Sequence, residues 1–119
     1  MHAPSNLALA VYQGADWDYQ LIWKIGDDRV DLADYTARLQ ARPHPSSATI
    51  VIDLETGAGI TCGSEGTIDL AMDAEATAML AAGKYAYDLE LESPSGIVVR
   101  LVQGQIDVEP EVTRPVETP

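Results

Sequence analysis

The stretch that decides the fold is Leu80-Ala81-Ala82-Gly83-Lys84-Tyr85-Ala86-Tyr87-Asp88-Leu89-Glu90-Leu91-Glu92. Two tyrosines and two leucines in it alternate strictly with charged residues and one alanine. This is the period of a β-strand that has one buried face and one wet face. The stretch therefore predicts a strand that packs its tyrosines and leucines against a core.

The first inward residue of this strand, Tyr85, follows an alanine-rich stretch and Gly83. A tyrosine at the start of a late strand is typical of the corner of an immunoglobulin-like sandwich, where its hydroxyl ties the preceding crossover to the sheet. We expect Tyr85 and Gly83 to form such a structural corner. The pattern favours an architecture and carries no sign of catalysis.

The same alternation predicts the other strands, with turn signals between them. They are expected over residues 7–12, 17–25, 34–42, 49–54, 60–62, 68–72 and 97–108. Asp73 is a plausible N-cap for one or two helical turns over residues 74–82, in the crossover before the tyrosine strand. A switch of apolar parity near residues 101–104 predicts a β-bulge or a move between sheets.

These elements predict an all-β fold: an immunoglobulin-like antiparallel β-sandwich of about seven or eight strands with one short helical crossover. Residues 1–109 are expected to form this single domain, and residues 110–119, with three prolines, an extended C-terminal tail. In the strand at 17–25 the odd positions are expected to face the core. Outward-facing Trp17, Trp23 or Tyr12 would instead suggest a carbohydrate platform.

The formal net charge of −12 is the strongest compositional signal. It argues against nucleic acid, whose phosphates bind clustered lysine and arginine, and against an anionic membrane surface. Two interpretations remain: a solvated surface that resists aggregation, or an acidic face that meets a basic partner. Cys62 is the single cysteine, so no intrachain disulfide is expected, and we expect neither a signal peptide nor a membrane span.

No cluster of residues predicts an enzyme, a cofactor site or a metal site. The acidic group formed by Asp27, Asp28, Asp31 and Asp34 lacks the spacing of the helical calcium loop, and a polar turn explains it. His44 lies close to two serines in sequence, yet no nucleophile motif accompanies them. No catalytic, cofactor-binding or metal-ligating residue is therefore expected.

Several motifs along the chain nevertheless occur in the same order in a known family. They lie at residues 12–17, 30–32, 35–40, 83–91, 100–104 and 110–114. Together they resemble a family of small tailed-phage and prophage virion proteins with an immunoglobulin-like domain. The chain is also similar to the N-terminal domain of phage baseplate upper proteins.

The resemblance implies a non-enzymatic structural protein of the virion, made in the host cytoplasm, with a docking role at the tail, baseplate or neck. Its implied partners are other virion structural proteins, and a homo-oligomer within the particle is expected. Candidate docking residues are Val112, Arg114 and Val116 in the tail and Leu7, Leu9 and Val11 in the first strand. The alternatives are a capsid decoration protein or a carbohydrate-binding adsorption module.

Overall fold

Across residues 4–114, which the computed structural model describes, the chain forms eleven strands and one short helix. In chain order they are β1 (Ser5–Asn6), β2 (Leu9–Tyr12), β3 (Trp17–Ile22), β4 (Lys24–Ile25), β5 (Asp28–Arg29), β6 (Thr36–Arg42), β7 (Ile52–Thr56), β8 (Gly59–Cys62), β9 (Thr67–Met72), α1 (Ala74–Ala78), β10 (Gly83–Glu92) and β11 (Val98–Glu109). The predicted all-β, sandwich-like fold is confirmed.

The strands form two arms that face each other across one core. The first arm has the order β8–β9–β3, and the second has the order β7–β6–β10–β11, with β1 and β2 on the outer side of β11. This is the strand order of an immunoglobulin-like sandwich, whose sheets carry strands D–E–B and C–F–G. A short parallel pairing of β7 with β8, at Glu55 and Thr56, joins the arms.

Three pairings are parallel, although the alternation predicted an antiparallel sandwich. They are β7 with β8, and β1 and β2 with β11. The remaining pairings are antiparallel, with the longest between β10 and β11. Local alternation sets which face of a strand is buried, whereas the direction of its neighbour depends on how the chain returns.

The core is a single cluster to which both arms contribute. Leu39, Leu89 and Ile106 come from the second arm, and Ile60 and Ile68 come from the first; all are almost fully buried. Burial of a side chain of this size stabilises a fold by about 1.5–3 kcal/mol. The inward faces of β6 and β10 are those that the alternation predicted.

The predicted bulge lies in β11. Leu89 pairs with Val102 and Glu90 pairs with Arg100, so Leu101 is the extra residue between them. Leu101 and Val102 are consecutive and both buried, which a regular strand would not allow. The parity switch in the sequence is the record of this bulge.

Several predicted elements differ in extent from the structure. The strand expected at 17–25 is divided into β3 and β4, and a two-residue turn that begins at Gly26, with φ 63°, connects β4 to β5. The strand expected from residue 49 begins at Ile52, and Ile50 is exposed. The helix ends at Ala78 rather than at residue 82, although Asp73 caps it as predicted, accepting from the Ala76 N–H at 2.8 Å.

One end of the sandwich is closed by a group of hydrogen bonds that we call the corner cluster: Gln13, Gly14, Asp16, Thr77 and Tyr85. The fully buried Thr77 hydroxyl accepts from the Gly14 N–H at 3.0 Å and donates to the Ala15 carbonyl at 2.8 Å. Asp16 accepts from the N–H of Ala74 at 2.7 Å. These bonds fix α1 against the turn that precedes β3.

Candidate docking groove

A groove of about 840 Å³ opens along the side of the sandwich where the two arms end. One wall comes from β3 and β4, the other comes from β1 with Leu7, and Leu101 and Val102 of the bulge also line it. We call this feature, lined by residues 5–7, 19, 21–25, 101 and 102, the open groove. Its lining is mainly apolar, whereas two clefts of about 330 and 340 Å³ on the wet face of the second arm are lined largely by polar and charged residues.

The groove exists because β3 is an edge strand. It pairs with β9 on one side, and among residues 4–114 no strand pairs with its other side. In an immunoglobulin-like sandwich the first strand commonly occupies that position. Here the first strands, β1 and β2, pair with β11 instead, so the edge of β3 and the apolar interior next to it stay open.

Apolar residues continue to alternate along β3 although the core covers only the first of them. Trp17 is 8% exposed, whereas Tyr19 on the same face is 37% exposed and Leu21 is half-buried. Ile25, which the alternation predicted to face the core, is 66% exposed. The prediction of a buried odd-numbered face is therefore correct for Trp17 and wrong for Tyr19 and Ile25, because no neighbouring strand covers that part of the groove.

The opposite wall is held in place by one close backbone approach. The Leu7 N–H donates to the Gln103 carbonyl at 2.9 Å, and the Leu7 carbonyl accepts from the Tyr87 hydroxyl at 2.7 Å. A Cβ atom on Gly104 would lie 2.2 Å from the Leu7 carbonyl oxygen, so only glycine fits beneath this wall. Burial, with a smaller contribution from nearby Tyr19, raises the pKa of Tyr87 to about 12.

At the other end of the groove, Trp23 is braced from behind. Its ring meets Tyr35 edge-to-face, with centroids 6.3 Å apart and an interplanar angle of 80°. The backbone N–H of Trp23 donates to the Gly66 carbonyl at 2.8 Å, and the backbone carbonyl of Trp23 accepts from the Val30 N–H at 3.1 Å. A tryptophan held in this way keeps the orientation of its ring when a partner binds, which lowers the entropy cost of binding.

Charge is distributed unequally between the two arms. Strands β3, β8 and β9 carry Asp18 and Asp69 and no lysine or arginine. Strands β6, β10 and β11 carry four basic residues, three of which form ion pairs. These are Arg38 with Asp53 at 3.5 Å, Lys84 with Asp107 at 3.6 Å and Arg100 with Asp88 at 3.3 Å. Strands β3, β8 and β9 therefore carry acidic side chains without a basic residue of their own, while Lys24 of β4 lines the far end of the groove.

The candidate docking residues of the first strand are placed inside the fold. Leu9 and Val11 are buried in the core, and Leu7 is half-buried between the groove and β11. As side chains they are not available to another subunit, because β2 completes the chain's own second arm through β11. This corrects the prediction of residues 7–11 as a strand that pairs across subunits, since β2 pairs within its own chain.

The candidate docking residues of the tail lie at the opposite end of β11 from the bulge. Val112 is 90% exposed and Arg114 is exposed, while Val116 lies outside the described residues. Before them, the Glu111 N–H donates to Gln13 Oε1 at 2.9 Å, so the first residues after β11 remain attached to the corner cluster.

The predicted structural corner is present in detail. The Tyr85 hydroxyl donates to the Ala81 carbonyl at 2.7 Å, four residues earlier in the chain. Gly83, with φ 154°, lies beneath the tyrosine ring, and a Cβ there would be 3.4 Å from the hydroxyl oxygen. The corner supports the fold and lies away from the groove.

The residues with possible chemistry stay apart from one another. Within residues 4–114 no group of histidine, cysteine and acidic side chains is placed to hold a metal ion. His44 Nδ1 is 3.1 Å from Ser46 Oγ in an exposed loop. Burial raises the pKa of the Cys62 thiol, against a weaker opposing effect of its hydrogen bond with Thr56. Of the described residues, no helix is long and apolar enough to cross a membrane.

Sequence reasoning missed the groove, whose lining includes Tyr19, Trp23, Ile25 and Leu101. The signals were the apolar alternation that runs through residues 17–25 and the bulge at Leu101, which lies next to it. The alternation predicts a core-facing strand and the parity switch predicts a bulge or a move between sheets, and neither indicates a groove. The sequence matches no protein-family model, and a search among curated proteins finds no match.

Proposed function

We propose that this chain is a non-enzymatic structural subunit that docks neighbouring proteins, and that it serves in the virion of a tailed bacteriophage, at the tail, baseplate or neck. The observation that carries the docking role is the open groove beside the unpaired edge of β3. Monomeric proteins rarely leave an apolar concavity of this kind uncovered unless it binds something. The virion context rests on the resemblance of the sequence motifs.

The charge of the chain supports a docking role of a particular kind. A net charge of −12 disfavours association between copies in solution and favours encounter with a basic surface. A subunit with these properties stays soluble until its partner is present. Assembly then proceeds through contacts that exist only in the particle.

A carbohydrate-binding module is the second candidate, favoured by one observation. Tyr12 is exposed and Trp23 is partly exposed, and aromatic faces of this type can stack on sugar rings. The two residues lie in different parts of the molecule, with Tyr12 at the end of β2 and Trp23 in the groove. Trp17, the third aromatic residue considered, is buried.

The experiment that tests the proposal is quantitative peptide mass spectrometry of purified particles from the phage or prophage that encodes the chain, scaled to the major capsid protein. A fixed ratio of a few to a few dozen copies per particle supports the tail, baseplate or neck. Hundreds of copies would make the chain a capsid decoration protein. Absence from particles would overturn the virion assignment, and binding to a glycan array would then support the adsorption module.

A further inference from the structure

We infer that the open groove is a strand-addition site, which takes an extended segment of a partner protein in which apolar residues alternate with lysine or arginine. The inference deepens the proposed docking function and rests on it. It names the surface that binds, the conformation of the partner and the chemistry of the partner's two faces.

The conformation follows from the edge of β3. An edge strand offers backbone N–H and C=O groups that an incoming extended chain can pair with. Strand β3 runs for six residues, a length of about 20 Å, enough for a short ladder. Its neighbour across the groove, β1, has only two residues, so β3 is the longer template.

The apolar half of the partner follows from the inward face of β3. On a strand paired with β3, the residues next to Tyr19 and Leu21 point into the groove, towards Leu101 and Val102. The groove has room for several aliphatic side chains. Their burial would cover the part of Tyr19 and Leu21 that the chain's own core leaves exposed.

The basic residues of the partner are inferred from the outward face of β3. The residues beside Asp18 and Gln20 would point to solvent, next to the acidic side chains of β3 and β9. Asp18 is exposed, and Asp69 is bonded to Gln20 through its Oδ1 at 2.7 Å. No lysine or arginine lies on β3, β8 or β9, and Lys24 of β4 follows the end of β3, so a basic partner supplies opposite charge beside Asp18 and Asp69.

The same charges disfavour a second copy of this chain as the occupant. Edge-to-edge pairing of two β3 strands would bring together two copies that each carry a net charge of −12, and like charge disfavours their association. The chain's own tail is also a poor fit. It leaves β11 from the end that carries the corner cluster, and Pro115 cannot donate a backbone hydrogen bond.

The test uses the full chain and a synthetic peptide of the length of β3 in which valine and lysine alternate. Matched peptides carry glutamate in place of lysine, or the same residues in two blocks. Hydrogen exchange by mass spectrometry locates the binding, and Trp fluorescence gives the affinity. We expect saturable binding of the alternating lysine peptide alone, with slower exchange confined to residues 17–25 and weaker affinity at high salt.

Asp18→Lys is the variant that probes specificity, because the side chain is exposed and its replacement leaves the core intact. We expect it to weaken binding of the lysine peptide by about threefold or more at low salt and to create binding of the glutamate peptide. Glu92→Lys changes the net charge equally on the wet face of β10, and we expect unchanged binding.

Equal protection by all three peptides, protection that maps to β1 and β11, or protection of β3 by self-association without peptide would each overturn the inference. So would the absence of any binding. The proposed function fails separately: a chain that is missing from particles but binds the peptide keeps the strand-addition site and loses the virion role. A chain that is present in particles at a fixed ratio and binds no peptide does the reverse.

Discussion

The corner cluster and the open groove show two ways in which one small sandwich ends. At the corner cluster, polar groups satisfy one another: Gln13 donates to the Leu80 carbonyl at 2.7 Å and accepts from Glu111, while Thr77 joins α1 to the turn before β3. At the groove, apolar side chains of β3 reach solvent beside an unpaired strand edge. The first region satisfies its hydrogen-bonding groups within the chain, whereas the second leaves one edge of β3 unpaired among residues 4–114.

The difference teaches where stability and binding are each located in this fold. Hydrogen bonds that are mutually satisfied and buried hold a structure rigid but leave nothing to offer a ligand. An apolar wall beside free backbone groups costs stability in isolation and offers both burial and hydrogen bonds to a partner. Mutations in the two regions should therefore differ in kind as well as in size.

The largest effect is expected at the wall of the groove, for Gly104→Ala. The new Cβ would overlap the Leu7 carbonyl oxygen, so the segment that contains β1 must move away from β11. We expect a loss of about 3 kcal/mol in the free energy of unfolding, measured by urea denaturation. Gly26→Ala is the control: nothing lies within 4 Å of its Cβ position, and only the φ of 63° is strained.

A loss for Gly104→Ala no larger than that for Gly26→Ala would show that the wall is not packed against β11 as described. It would also mean that the groove is wider, since Leu7 is one of its lining residues. The pair of variants therefore measures how firmly one side of the groove is built.

The next effect is expected in the corner cluster, for Thr77→Val. Valine keeps the shape of the side chain but leaves the partly buried Gly14 N–H and the Ala15 carbonyl without the hydroxyl that bridges them. We expect a loss of about 2 kcal/mol in the free energy of unfolding, with no change in peptide binding at the groove. Thr61→Val, at an exposed position of β8, should change stability by less than about 0.5 kcal/mol.

A drop in peptide binding for Thr77→Val would mean that the two regions are energetically coupled, and the separation of stability from docking would then be wrong. An unchanged stability would show that the neighbouring backbone groups find other partners.

Two tyrosines of β10 sharpen the comparison, because each donates one hydrogen bond of 2.7 Å to a carbonyl, Tyr85 at the corner and Tyr87 at the groove. We expect Tyr85→Phe and Tyr87→Phe each to lower the free energy of unfolding by about 1 kcal/mol at neutral pH. They should differ in alkaline solution, because burial raises the pKa of Tyr87 from 10.0 to about 12.

The folded protein keeps the Tyr87 phenol protonated at pH values where the unfolded chain has lost that proton. Its contribution is therefore complete below pH 10.0 and is lost as the pH rises through about 12. Urea denaturation between these limits should show a decline in stability of up to about 2 kcal/mol that Tyr87→Phe removes and Tyr85→Phe retains. Equal slopes in the two variants would contradict the buried position of the Tyr87 hydroxyl.

The sequence predicted the closed parts of the fold better than the open part. Alternation located the inward faces of β6 and β10, the parity switch located the bulge at Leu101, and Tyr85 located the corner. These features are local, since each depends on the period of one strand or on a bond across a few residues. Short sequence windows contain that information.

The groove could not be predicted in the same way, because it results from where a strand does not pair. The apolar residues of β3 have the same period whether a neighbour covers them or not. Whether residues 5–12 pair with β3 or with β11 depends on contacts about one hundred residues apart in sequence, which alternation does not encode. The same reason explains why Leu9 and Val11 were predicted as docking residues and lie in the core.

The smallest effect is expected where the tail meets the corner cluster, and it defines the boundary between domain and tail. Removing residues 113–119 should leave the free energy of unfolding unchanged, because Thr113 and Arg114 are exposed and the Glu111 N–H still donates to Gln13. Removing residues 111–119 should lower it by about 0.5 kcal/mol, the value of one partly buried hydrogen bond. Thermal melting of the two truncated chains, with Gln13→Ala in the full chain as the matched control, separates the cases.

If removing residues 113–119 alone already destabilises the fold, the residues after Glu111 are part of the domain. If neither truncation destabilises the fold, the domain ends with β11. The hydrogen bond between Glu111 and Gln13 then positions the start of the tail without adding to the free energy of unfolding.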